Sequence, residues 1–101
     1  MNYGLPQQTL DGILAVLAEY QCVEQAILYG SRAKGNYRPG SDIDVALKGA
    51  LLNMPSLYEI MDKLEQLDLP YEIDLSLYSQ IENTSLLEHI ERVGQVIYQR
   101  D

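Results

Sequence analysis

Two stretches of this chain alternate apolar and polar residues closely enough to demand a sheet with one dry face. Between Asp42 and Lys48, Ile43, Val45 and Leu47 point one way while Asp42, Asp44 and Ala46 point the other. Between Tyr71 and Tyr78, Tyr71, Ile73, Leu75 and Leu77 oppose Glu72, Asp74, Ser76 and Tyr78. A third run, Val23 to Tyr29, is continuously apolar and stops at Gly30, as a buried strand does. An apolar strand face needs a cover, and the sequence supplies helices for it.

Leu10, Ile13, Leu14, Leu17 and Ala18 recur at helical spacing, which predicts a helix from about 9 to 20 with Thr9 as N-cap. Leu57, Ile60, Met61, Leu64 and Leu67 form a second stripe, opened by Pro55 and Ser56 and closed before Pro70. Leu86, Ile90, Val93 and Ile97 mark a C-terminal helix. Residues 31–41 are polar and read as loop with one helical turn. The order helix, strand, loop, strand, helix, strand, helix predicts an α+β, two-layer fold, a small sheet with helices packed on one face. The open face then carries Asp42, Asp44 and Asp74.

The chain has 101 residues, which predicts a single domain over 1–101 with one modest core. A large substrate would need part of its site from elsewhere. With 15 acidic and 7 basic residues the formal charge is −8. That balance argues against holding DNA or RNA by phosphate neutralisation. It suits a bound metal, or a partner with a basic surface. Cys22 is the one cysteine, so no internal disulfide forms, and its place before an apolar run reads as a small core residue. His89 and Cys22 cannot build a zinc site, so His89 reads as a surface or helix-face residue. No leader pattern and no membrane-length apolar run is present, so a cytoplasmic setting without membrane is expected.

The chemistry concentrates between Leu28 and Leu47. Asp42 and Asp44, two apart on a strand, project from one face with Cα atoms roughly 6.5–7 Å apart. Such carboxylates converge on hard cations, and magnesium takes one or two carboxylates together with phosphate oxygens. Asp74 on a neighbouring strand supplies a third. Without a cation the three repel, and at least one pKa rises. Two ions in such a site would activate an attacking hydroxyl and stabilise a leaving pyrophosphate. Upstream, Gly30-Ser31 closes the buried strand, where glycine lets a backbone approach phosphate. The amides of the following turn suit an anion. Arg32 and Lys34 bring positive charge to the same loop. The loop is not a Walker A motif, because Gly30-Ser-Arg-Ala-Lys-Gly35 lacks that spacing and its terminal Lys-Ser/Thr.

Leu28-Tyr-Gly-Ser-Arg-Ala-Lys-Gly-Asn-Tyr-Arg-Pro-Gly-Ser-Asp-Ile-Asp-Val-Ala-Leu47 resembles the signature of the DNA polymerase β-type nucleotidyltransferases. That signature is Gly-Ser, about ten residues, Asp-x-Asp between apolar residues, then a later acidic residue, here Asp74. The short Gly-Ser-Arg-Ala-Lys-Gly form is similar to the minimal nucleotidyltransferases, the MNT proteins. The resemblance implies the nucleotidyltransferase fold, with a small mixed sheet. It implies that Gly30 and Ser31 hold the β- and γ-phosphates of ATP, with Arg32, Lys34 and Ser41 as further phosphate contacts. Asp42, Asp44 and Asp74 would be the catalytic residues and would ligate two Mg²⁺ ions. It also implies a partner in trans, a HEPN-domain toxin whose tyrosine receives AMP, with this chain as antitoxin. Two alternatives stay open: a non-catalytic antitoxin that masks its partner stoichiometrically, and transfer to a small molecule.

Overall fold

The structure, a computed structural model, describes residues 3–100. Four strands, β1 (Gln25–Tyr29), β2 (Ile43–Lys48), β3 (Ile73–Leu77) and β4 (Gln95–Gln99), form one sheet in the order β3-β2-β1-β4. β1 pairs antiparallel with β2 and with β4, whereas β2 and β3 run parallel, so the sheet is mixed. The helices are α1 (Gln7–Ala18), a single turn α2 (Ser31–Lys34), α3 (Met54–Glu65) and α4 (Thr84–Val93). Among the described residues no helix is long and apolar enough to cross a membrane.

The alternation read from the sequence places the core. Ile43, Val45 and Leu47 of β2 join Leu75 and Leu77 of β3, and α1 and α3 cover them with Ile13, Leu17, Leu57, Ile60 and Leu64. Ile13, Leu17 and Ile60 are fully buried, and burial of such side chains contributes roughly 1.5–3 kcal/mol each. α3 starts one turn ahead of its stripe because the Asn53 side chain accepts the Ser56 N–H at 2.9 Å, with Pro55 in the first turn. α1 begins at Gln7, directly after Pro6, so Thr9 lies inside the first turn and does not cap it. Met61, assigned to the core stripe by its spacing, lies at the edge and is exposed.

The C-terminal segment departs from the expectation in two ways. The helix ends at Val93, and Ile97 belongs to a fourth strand on the free edge of β1. Gly94 makes the break: a Cβ there would collide with the Ile90 carbonyl oxygen and meet Ile27 Cγ2. The β-branched and aromatic run Val96-Ile97-Tyr98 then prefers a strand. Second, α4 does not join α1 and α3. Its Ile90 packs with Ile27, Tyr29 and Ala46, on the face that bears Asp44. One-sided cover therefore holds for α1 and α3 only.

Arg100 secures this last strand. Its Nε donates to the Val23 carbonyl at 3.1 Å, and its Nη2 donates to the carbonyls of Ala18 and Tyr20 at 3.0 and 3.1 Å. A cation at the end of α1 also complements that helix dipole. Gly94→Val should lower unfolding stability by about 1–3 kcal/mol through overpacking against Ile90 and Ile27. Urea denaturation followed by circular dichroism checks this.

Candidate active site

β1 ends in Tyr29 and the chain turns sharply at Gly30, whose φ of 77° lies in the region that favours glycine. A side chain there would also strike the Asp44 carboxylate, which lies against the Gly30 backbone. α2 starts at the next residue, Ser31. The first N–H groups of any helix lack partners within it. The turn that should present amides to an anion thus stands beside the carboxylates.

Strand register assembles the rest. Asp44 is opposite Tyr29 on β1 and beside Asp74 on β3. Asp42 lies just before β2 and is exposed, as is Asp74, while Asp44 is half-buried. Burial pushes the Asp44 pKa up, and the charges of Asp74 and Asp42 push it further, against an opposing effect of His89. Asp44 therefore senses both neighbouring acids. The Tyr29 phenol is raised too, by burial foremost; Ser76 offsets this through a hydrogen bond, and Asp74 and Asp44 add to it.

The charged loop residues have separate places. Arg32, expected among the phosphate contacts, points inward and is 2 % exposed. Its Nε and Nη2 donate to the Ser41 carbonyl at 3.2 and 2.9 Å, Nη1 to the Tyr3 carbonyl at 2.9 Å, and Nη2 to the Pro39 carbonyl at 3.3 Å. Tyr37 and Tyr71 flank the guanidinium at 5.3 and 5.1 Å from their ring centres. Arg32 is thus the internal strut of the 31–41 loop. Ser41 belongs to the same wiring, since its hydroxyl accepts the Arg38 N–H at 2.8 Å. Lys34 stands exposed in α2.

His89, whose sequence context suggests a surface or helix-face residue, is half-buried. From α4 its Nε2 accepts the Gly30 N–H at 3.0 Å, and its ring meets Tyr29 edge-on at 6.2 Å. This bond requires an unprotonated Nε2. His89 lies one position before the buried Ile90 of α4, but nothing in the sequence tells which sheet face that helix covers.

The donor set suits a magnesium ion. It consists of hard carboxylate oxygens, with Asp74 beside Asp44 on the neighbouring strand. Among the described residues no group of three or more His, Cys, Asp or Glu is arranged to hold a metal by itself. Magnesium needs only one or two carboxylates when phosphate and water supply the rest.

Two expected outcomes follow from this geometry. Arg32→Lys cannot reproduce the fork that serves three carbonyls, and should cost on the order of 3 kcal/mol in urea unfolding. For Asp44 the native pKa lies above the unfolded one, so its contribution to stability falls as pH rises from the unfolded pKa through the raised native one. Asp44→Asn should therefore raise the melting temperature of the metal-free protein at neutral pH. That advantage should shrink below the ordinary aspartate range, as thermal melts across pH would record.

Known proteins resemble this chain in sequence and in fold. The family model described as Polymerase beta, Nucleotidyltransferase matches residues 11–101. A Methanocaldococcus jannaschii protein named as a putative protein adenylyltransferase is 32% identical over 77 residues, spanning 71% of this chain and 76% of its own. A chain in a crystal structure of a toxin–antitoxin with AMP-PNP superposes with a TM-score of 0.71 at 24% identity, over 91% of this chain and 74% of that one. A chain in the structure of the tri-AMPylated Shewanella oneidensis HEPN toxin in complex with MNT antitoxin gives 0.68 at 23% identity, over 93% and 72%. At such identities these two likenesses establish the fold. Fold, family model and the identity to the archaeal protein converge: the chain belongs to the polymerase β-type nucleotidyltransferase family.

Proposed function

We propose that this protein transfers AMP from ATP, with magnesium, to a tyrosine hydroxyl of a partner HEPN-domain toxin, and thereby acts as its antitoxin. The observation that carries the reading is the Gly30 turn set directly against Asp44, with Asp74 beside it and Asp42 close by. The names of the archaeal relative and of the AMPylated toxin complex support a protein acceptor.

In this reading Gly30 and Ser31 receive the β- and γ-phosphates at the start of α2. Gly30 has no side chain to obstruct them, and Ser31 offers a hydroxyl donor. Asp42, Asp44 and Asp74 would hold magnesium, which supplies charge neutralisation for the triphosphate. The acceptor oxygen forms a bond to the α-phosphorus, the bond from that phosphorus to the bridging oxygen breaks, and pyrophosphate leaves. The exposed Asp74 takes the hydroxyl proton. His89 holds the Gly30 amide and so fixes the phosphate turn from the α4 side. Arg32 acts through the loop and does not touch nucleotide. Positioning and electrostatics supply most of the acceleration in such transfers. The residues 1–101 act here as one domain, with the acceptor supplied in trans.

The test combines the protein, ATP, magnesium and the helical protein encoded beside it, and reads the partner by mass spectrometry. An AMP adduct on a partner tyrosine is expected, and Asp42→Ala or Asp44→Ala should abolish it with the fold intact. No adduct under conditions where ATP binds would refute the catalytic reading. If Asp44→Ala still neutralised the partner, stoichiometric masking would replace it.

A further inference from the structure

The side of the molecule away from the carboxylates carries a feature that nucleotidyl transfer does not use. α3 turns its Leu57, Ile60 and Leu64 into the core, yet Met54, Tyr58 and Met61 remain exposed. At 100° per residue these three fall within an arc of roughly 60° beside the buried stripe. Tyr58 is 59% exposed, and Leu51, in the turn before the helix, is 78% exposed. At its far end this ridge runs into a cavity of about 420 Å³ between the end of α3 and the start of β3, which Met61 also lines. Leu69 and Ile73 give the cavity an apolar floor, and Glu65, Asp68 and Glu72 give it an acidic rim.

We propose that this ridge and cavity dock an amphipathic helix of a partner protein, with an apolar edge flanked by lysine or arginine. Exposed Met and Tyr beside a concave apolar floor form a typical helix-receiving surface. The charge selects the occupant. Asp62, Glu65, Asp68 and Glu72 lie along the ridge and rim, while Glu59 and Lys63 project roughly 100° or more around α3 from Tyr58. A second copy of this chain would bring the same acids against them, in a protein of net charge −8. An anionic membrane surface would be repelled likewise. A helix with basic flanks gains charge complementarity while its apolar edge covers Tyr58 and Met61. The ridge lies on the α3 layer, across the sheet from Asp44, and the cavity at its end opens at the start of β3; the docking does not depend on the nucleotidyl-transfer reading.

The test uses the full chain and a synthetic Leu/Lys helix of about 18 residues, five turns, with leucines at i, i+3, i+4 and i+7. Titration into the isotope-labelled protein should shift amide signals over residues 51–73. Tyr58→Ser and Glu65→Lys should each weaken binding about tenfold. Both side chains are exposed, so unchanged circular dichroism spectra will show that the variants fold. A Leu/Glu helix of the same pattern should not bind. Shifts centred on Asp42, Asp44 and Asp74, equal binding by the variants, or equal binding of the Leu/Glu helix would each overturn the proposal. So would concentration-dependent self-association through this face in sedimentation, or binding to anionic phosphatidylserine vesicles that Tyr58→Ser abolishes.

Discussion

Asp44 and Asp74 stand side by side on neighbouring parallel strands, and Asp42 lies close to Asp44. Like charges in such register repel. The protein holds them there because their strands bury the opposite face. Ile43, Val45, Leu75 and Leu77 are all buried under α1 and α3. A slip of one residue would carry the acids into that core and the apolar side chains into water. Hydrophobic burial on one side therefore maintains electrostatic strain on the other. A cation bound there would relieve that repulsion.

The loop between the glycine turn and the first acid needs its own support, because residues 35–42 form neither helix nor strand. Arg32 provides it by turning inward to collect the carbonyls of Tyr3, Pro39 and Ser41. An always-charged, planar guanidinium suits this task, since it satisfies several acceptors at once and stacks on rings. The aromatic usage follows the same logic. The chain has eight tyrosines and no Phe or Trp. Four of those rings lie against cations: Tyr37 and Tyr71 against Arg32, Tyr78 against Lys48, and Tyr98 against Arg100. In a chain with few cations, those anchoring its irregular segments are given aromatic platforms.

The sheet separates two faces of different character. One carries charge, the glycine turn and His89, with α4 as a wall. The other carries the helical layer, whose outer edge leaves Met54, Tyr58 and Met61 uncovered. The sheet thus keeps the exposed helical ridge apart from the carboxylates.

The local periodicities of this chain determined much by themselves. Alternation in 42–48 and 71–78 placed β2 and β3, their dry face and the shared side of Asp44 and Asp74. Gly30 before a polar loop marked the turn. These were legible because side-chain direction in a strand depends only on position along it. The end of the chain reads differently in sequence because Ile97 continues the spacing of α4, while the close approach of the Gly94 backbone to Ile27, which a side chain would obstruct, joins residues distant in sequence. The side on which α4 lands, and hence the bond from Gly30 to His89, was invisible for the same reason. So was the inward turn of Arg32, whose partners are backbone carbonyls that no residue type announces. Sequence determined which residues could carry the chemistry; tertiary packing decided which reach the glycine turn and which brace it, because those contacts join segments that only the folded chain brings together.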